Sequence, residues 1–172
     1  SLGLMDYYEE LGLDEFMNKS YDIIWPMWFT TEDGEAVSYD KEKVIDALNC
    51  FSKLSLEAKV VFISYIAGAN GEDSMYYFAL EDFISSTYGD NDALTTVINA
   101  LMDVEMSYIE FGYLGGSESK TALTNARDEL VNLYITLSEA DKKLFDEDFG
   151  EIYSYYLELI EKALTEAPEE NV

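Results

Sequence analysis

Carboxylates are the main side chains in this sequence that could do chemistry. The chain has 36 Asp and Glu residues, one cysteine and no histidine. It therefore lacks the commonest general base and a frequent ligand of zinc and iron. One cysteine excludes a metal site built from several thiolates, and Cys50, beside Phe51, is expected to be a small core residue. We expect no enzymatic activity and no bound cofactor.

The short acidic and glycine-rich motifs do not match known metal or phosphate sites. Acidic runs lie at 72–73, 90–92 and 146–148, and none has the ligand, glycine and glutamate spacing of a calcium-binding EF-hand loop. The segment 115–121, GGSESKT, is similar to a phosphate-binding loop, but Ser119 stands where that loop needs glycine. Pairs of carboxylates carry no information about glycosidase chemistry when acids are this numerous. We predict no catalytic, metal or phosphate site.

The excess of acidic over basic residues limits the kinds of partner that this protein can bind. The formal net charge is −26 at pH 7, with 36 acidic against 10 basic residues. Nucleic acids and anionic membrane surfaces are bound through clusters of Lys and Arg, so direct binding to either is not expected. No run of about 18 apolar residues is present, which argues against membrane insertion. The composition favours a soluble protein, cytoplasmic or secreted to the surface of a bacterium. Its charge is compatible with basic proteins, with cations or with no particular partner, and a basic protein is the partner we predict.

Two sets of residues are candidates for partner binding. Both tryptophans lie in the segment 14–29, and Trp25, Trp28 and Phe29 are either buried core residues or an aromatic anchor for a partner. The second set interleaves tyrosines with acids, which can imitate the bases and phosphates of nucleic acid. Its alternative interpretation is amphipathic helices whose tyrosines line the edge of the core. The candidates in this set are Glu72, Asp73, Tyr76, Tyr77, Glu81, Glu151, Tyr155 and Glu158.

Hydrophobic periodicity predicts an all-α bundle of seven to nine helices. Pro26 is expected to kink or end the second helix. Gly150 is expected to separate the last two helices. A polar loop is expected after the second helix, with a turn at Asp33-Gly34. The predicted helices span about 2–11, 14–29, 41–53, 56–67, 75–87, 92–111, 120–136, 139–149 and 151–165.

Two stretches, 43–66 and 126–149, resemble each other at an offset of 83 residues. In each, Leu-Ser interrupts a helix, and the serine is a predicted N-cap of the next one. The resemblance predicts a bundle built from two diverged helical-hairpin repeats, with chance similarity of amphipathic helices as the alternative. The predicted organisation is an N-terminal unit at 1–111, a flexible connection at 112–119 and a second repeat unit at 120–172, together forming one compact domain.

The function predicted from these features is that of a non-enzymatic, acidic, helical protein-interaction module. The alternative is a nucleic-acid-mimicking inhibitor of a basic nucleic-acid-binding protein. Binding of the second kind depends mainly on charge and would weaken strongly as salt is raised.

Overall fold

The computed structural model of the chain describes residues 3–29, 31–35, 37–66 and 75–166. Over these ranges all regular secondary structure is helical, without strands, and one π-helical turn follows the fourth helix. The predicted all-α fold of seven to nine helices is confirmed. The helices in the described ranges are α1 (Leu4–Glu10), α2 (Leu13–Trp28), α3 (Lys41–Lys53), α4 (Leu56–Val61), α5 (Met75–Tyr88), α6 (Asp92–Leu114), α7 (Gly116–Ile135) and α8 (Glu139–Glu166).

The chain packs into two compact units that meet in sequence at the end of α5. Unit 1 extends to Thr87, and unit 2 begins at Tyr88. The predicted connection at 112–119 lies instead inside unit 2, where it forms the end of α6, one linking residue and the first turn of α7. Gly115 has φ 65°, which favours glycine, and its N–H donates to the Phe111 carbonyl at 2.8 Å. Gly115 therefore allows α6 and α7 to join through a single residue, whereas the glycine content of 112–119 predicts a flexible connection.

Unit 1 is built around an aromatic cluster between α2 and α3. The ring of Phe16 contacts those of Phe51 and Phe62, with centroids 5.1 and 4.9 Å apart. Tyr76 of α5 joins the same cluster, 5.2 Å from Phe62 in an edge-on arrangement. Each such ring contributes a few kcal/mol by leaving water, about 1.5–3 for a fully buried side chain. Further residues buried in α2 and α3 are Leu13, Ile23, Val44, Ala47 and Leu48.

Unit 2 is a bundle in which α6 packs against both α7 and α8. The predicted break at Gly150 is wrong, because α8 runs without interruption for 28 residues. Glycine costs a helix only about 1 kcal/mol relative to alanine. Phe149 and Ile152, on either side of it, are fully buried in the core, and this packing holds the helix through the glycine.

The two Leu-Ser corners have the same local geometry, as the sequence predicts. The hydroxyl of Ser55 accepts from the Ala58 N–H at 3.1 Å, and that of Ser138 accepts from the Asp141 N–H at 3.1 Å. Both predicted N-caps are confirmed. The packing around the corners differs, because Lys59 is 1% exposed while the side chain of the corresponding Lys142 is 26% exposed. The duplication of the hairpin stays a prediction.

Candidate partner-binding surface

The C-terminal half of α2 carries a row of aromatic side chains. Tyr21, Trp25 and Phe29 follow one another at a spacing of four residues, so they share one side of the helix. The ring centroids of Tyr21 and Trp25 are 5.0 Å apart, and those of Trp25 and Phe29 are 5.8 Å apart in an edge-on arrangement. The helix continues for two residues beyond Pro26, and the Phe29 N–H donates to the Trp25 carbonyl at 3.0 Å. Proline therefore does not end α2 where it occurs.

These aromatic side chains are exposed. Trp25 is 52%, Trp28 is 61% and Phe29 is 55% accessible, whereas Ile23 and Pro26 on the same helix are buried. The interpretation of the two tryptophans as buried core residues is therefore wrong. The core side of α2 is supplied by smaller apolar residues, which leaves the largest rings facing outward.

A short turn completes this surface. The Val37 N–H donates to the Phe29 carbonyl at 3.1 Å, so the chain returns beside the end of α2. The turn closes through the Gly34 N–H, which donates to the Thr31 carbonyl at 2.9 Å, and Gly34 has φ 83°, as the Asp33-Gly34 prediction requires. Val37 is itself exposed. We call the resulting surface the aromatic patch, defined as Tyr21, Trp25, Trp28, Phe29 and Val37.

The aromatic patch is bordered by carboxylates and not by cations. Between Ser20 and Asp40 the sequence contains no Lys or Arg. The preceding base, Lys19, forms an ion pair with Asp46 of α3. The acids of this stretch make no ion pair with any residue that the structure describes. They are Asp22, Glu32, Asp33, Glu35 and Asp40.

A shallow groove of about 320 Å³ adjoins the aromatic patch within unit 1. Pro26, Val37 and Tyr39 line one side, and Asp82 on α5 lies at the other. The Tyr39 hydroxyl donates to Asp82 Oδ2 at 2.7 Å. Burial raises the pKa of Tyr39 above its ordinary value, and the hydrogen bond to Asp82 raises it further, so the phenol stays a donor well into the alkaline range.

The remaining predicted residues of unit 1 do not form one surface. Tyr76 belongs to the core, since it is 4% exposed and packs on Phe16 and Phe62, so its predicted contact with a partner is corrected. Tyr77 is partly buried against Tyr76, while Glu81 is exposed. Glu72 and Asp73 lie outside the described residues.

The predicted residues of unit 2 lie on α8. Glu151 and Glu158 are exposed, and Tyr155 is partly buried beside Tyr156, with ring centroids 5.8 Å apart. Because α8 is continuous, Glu147 and Glu161 are exposed on the same side of the helix as Glu151 and Glu158. The spacing of these four acids, 4, 7 and 3 residues, keeps them on one helical face.

In the described ranges, five tyrosine hydroxyls donate to carboxylates that lie far from them in sequence. The excess of tyrosine, 14 residues beside only 10 bases, is the one signal of this in the sequence. The partners are 12 to 60 residues apart, so no local pattern reveals the pairs. The phenols act as neutral donors to acids for which the chain has too few cations. The O···O distances are 2.5–2.9 Å in the pairs Tyr7–Glu57, Tyr39–Asp82, Tyr88–Asp148, Tyr134–Asp146 and Tyr156–Glu105.

The pair between Tyr156 and Glu105 predicts an alkaline loss of stability. Tyr156 is fully buried and donates to Glu105 Oε2 at 2.6 Å. Burial, with the nearby carboxylate, raises the pKa of Tyr156 well above 10. Since the folded pKa is the higher one, this stabilisation is fully present below about pH 10, the unfolded value, and is lost as pH rises toward the folded value. The loss amounts to about 1.4 kcal/mol per pH unit for one group.

We therefore expect Tyr156→Phe to lower the free energy of unfolding by about 1–2 kcal/mol near pH 8, because the buried hydrogen bond is lost. This deficit should shrink above about pH 10, because phenylalanine cannot ionise in the unfolded chain. Urea unfolding at both pH values, followed by far-ultraviolet circular dichroism, measures the difference. The exposed Tyr113→Phe serves as the neutral control. A deficit that stays constant with pH would contradict the prediction.

The described side chains offer little reactive chemistry. No group of three or more His, Cys, Asp or Glu residues within the described ranges is arranged to hold a metal ion. Cys50 is partly exposed, so the prediction of a core residue holds only in part. Burial, with the negative charge of Glu15, raises the pKa of the Cys50 thiol, which is the reverse of what an activated nucleophile needs.

Comparison with known proteins adds no further assignment. Scans against family models, curated proteins and solved structures found no match to this chain. Among the described helices, none combines the length and apolar character that crossing a membrane requires.

Proposed function

We propose that this chain is a non-enzymatic protein-interaction module, and that it binds a basic protein through the aromatic patch of unit 1. The observation that carries this proposal is the exposure of three adjacent large aromatic residues, Trp25, Trp28 and Phe29, each more than half accessible. Apolar rings in water are unfavourable, and clustered ones are typical of binding surfaces. Trp and Tyr are also the residues most enriched where binding energy concentrates.

The charge around the aromatic patch supports a basic partner. The bordering acids Asp22, Glu32, Asp33 and Glu35 form no ion pair with a described cation. A partner with Lys or Arg around an apolar centre would match this arrangement, with the rings providing affinity and the acids accelerating encounter. Salt should therefore slow association more than it weakens the bound complex.

The experiment that tests the proposal is affinity capture on the immobilised full chain, from lysate of the source organism or its host. Proteins are eluted with rising salt and identified by mass spectrometry, in parallel with the Trp25→Ala/Trp28→Ala variant. We expect a basic protein that resists moderate salt and is missing from the double variant. Capture that is unaffected by the two substitutions would overturn the proposal.

The nucleic-acid-mimic alternative is favoured by one observation, the uninterrupted length of α8. Its exposed acids Glu147, Glu151, Glu158 and Glu161 form a single row about 21 Å long at 1.5 Å per residue. Under this alternative the captured protein binds nucleic acid, is released by salt, and is displaced by duplex DNA. Its capture would fall in a Glu151→Gln/Glu158→Gln variant and would not depend on Trp25 or Trp28.

A further inference from the structure

The groove beside the aromatic patch is continuous with it. Pro26, in its wall, directly follows Trp25 in α2. Val37, which belongs to both surfaces, is held beside Phe29 by its N–H bond to the Phe29 carbonyl. A segment bound on the patch rings therefore has the groove within reach, through Val37, which both surfaces share.

The polar residues that line the groove are Ser38, Tyr39, Asp82, Ser86 and Thr87, and Asp82 is its one charged group. The Ser86 hydroxyl is occupied, because it donates to the carbonyl of Asp82 at 2.7 Å. The Tyr39 hydroxyl donates to Asp82 Oδ2, and its oxygen also lies 3.2 Å from the Ala79 carbonyl. Asp82 is exposed and makes no ion pair with the cations that the structure describes. The tyrosine orients the carboxylate, and Asp82 Oδ1 remains free to accept.

The residues that line the groove determine which kind of partner side chain can bind there. Pro26, Val37 and the ring of Tyr39 suit an alkyl chain, while the carboxylate at the side of the groove suits a positive charge. Lysine and arginine combine these two properties, since their stems pack on apolar surface while the charged end stays polar. A purely apolar group would desolvate Asp82 without a compensating partner, and an anion would be repelled.

We infer that the partner segment held by the aromatic patch carries a lysine or arginine beside its apolar anchor, and that this side chain enters the groove and binds Asp82. The inference rests on the proposed function, because it assigns the occupant of the same surface. It makes Asp82 a specificity-determining residue, distinct from the acids that only add to the negative charge of the surface.

Selection of peptides tests this inference. A library of random displayed peptides is selected on the full chain, on Asp82→Asn and on Glu81→Gln, which removes the same charge from the neighbouring exposed residue. We expect wild type and Glu81→Gln to select an apolar residue at a constant distance from Lys or Arg. Asp82→Asn should keep the apolar preference and lose the basic one. Tyr39→Phe, which retains the carboxylate, should keep both.

The affinity of a selected peptide for wild type and for Asp82→Asn then measures how much Asp82 contributes to binding. Both tryptophans of the chain lie in the aromatic patch, so intrinsic fluorescence reports binding there directly. Asp82→Asn should weaken the peptide about three- to tenfold, as expected for a partly exposed charge-assisted hydrogen bond. A peptide with norleucine in place of its basic residue should bind both proteins equally.

The outcomes separate the inference from the proposed function. Peptides that require Trp25 and Trp28 but show no constant basic residue would overturn the inference and leave the interaction module standing. An equal loss in Glu81→Gln and Asp82→Asn would also overturn it, because the effect would then be one of general charge. If no selected peptide depends on the two tryptophans, the proposed function fails first.

Discussion

Replacing Trp25 and Trp28 together with alanine is expected to weaken partner binding by at least about a hundredfold while the fold remains intact. Each residue at the centre of a binding surface commonly contributes 2 kcal/mol or more, and a loss of about 2.8 kcal/mol is a factor of one hundred. The two rings are 52% and 61% accessible, so the free protein gains little from them. We expect the free energy of unfolding to change by less than about 1 kcal/mol.

Titration calorimetry with the captured partner measures the affinity, and urea unfolding followed by circular dichroism measures the stability. The matched control is Tyr113→Ala in unit 2, which removes an aromatic side chain that is 69% exposed and far in sequence from the aromatic patch. Tyr113→Ala should bind as wild type does. Equal weakening in both proteins would mean that the partner does not recognise the aromatic patch.

Lys59→Ala is expected to destabilise unit 1 by about 3–4 kcal/mol, through the cavity that it leaves and the hydrogen bond that it removes. The Lys59 side chain is 1% exposed, and its ammonium donates to the Ser52 carbonyl at 2.7 Å, which ties the end of α3 to α4. The Lys59→Ala change deletes three methylene groups and the ammonium from a packed interior. The backbone carbonyl of Ser52 also loses a charged donor.

Two variants separate the contributions of the stem and the charge. Lys59→Met keeps most of the buried volume and should be less destabilising than Lys59→Ala by about 2 kcal/mol. Lys142→Ala, at the corresponding corner of unit 2, should cost less than about 1 kcal/mol, because its side chain is partly exposed and pairs only with an exposed Glu139. Tryptophan fluorescence during urea unfolding follows unit 1, which holds both tryptophans, and far-ultraviolet circular dichroism, which reports helix loss in both units, follows Lys142→Ala. Similar values for Lys59→Ala and Lys142→Ala would contradict the prediction.

The local features of the fold were predictable because local interactions produce them. The Ser55 and Ser138 caps and the Asp33-Gly34 turn each involve atoms within three or four residues of one another. Helical periodicity identified the all-α class for the same reason, since each helix buries one stripe of its own sequence. The break expected at Gly150 is absent, because packing of the neighbouring residues decides whether a glycine interrupts a helix. In the segment 112–119 only Gly115 separates two helices.

The candidate site could not be predicted from any short segment, because its exposure depends on how the helices pack. The sequence placed Trp25, Trp28 and Phe29 together but could not say which side of α2 faces the core, since both sides are apolar there. Tertiary packing buries Ile23 and Pro26 and leaves the rings exposed. Tyr76 lies near acids in the sequence, as other tyrosines do. It is nevertheless a core residue, because its ring packs against Phe16 and Phe62.

By itself the sequence determined the helical class, the serine caps of two helices, the strong negative charge and the shortage of catalytic side chains. Only the tertiary structure decided which aromatic residues reach the surface, that Asp82 stands beside Tyr39 in a groove, and that tyrosines bind carboxylates many residues away. The physical reason is the range of the interactions. Propensity, capping and net charge are properties of neighbouring or summed residues, whereas burial and long-range hydrogen bonds exist only after the helices of each unit have packed.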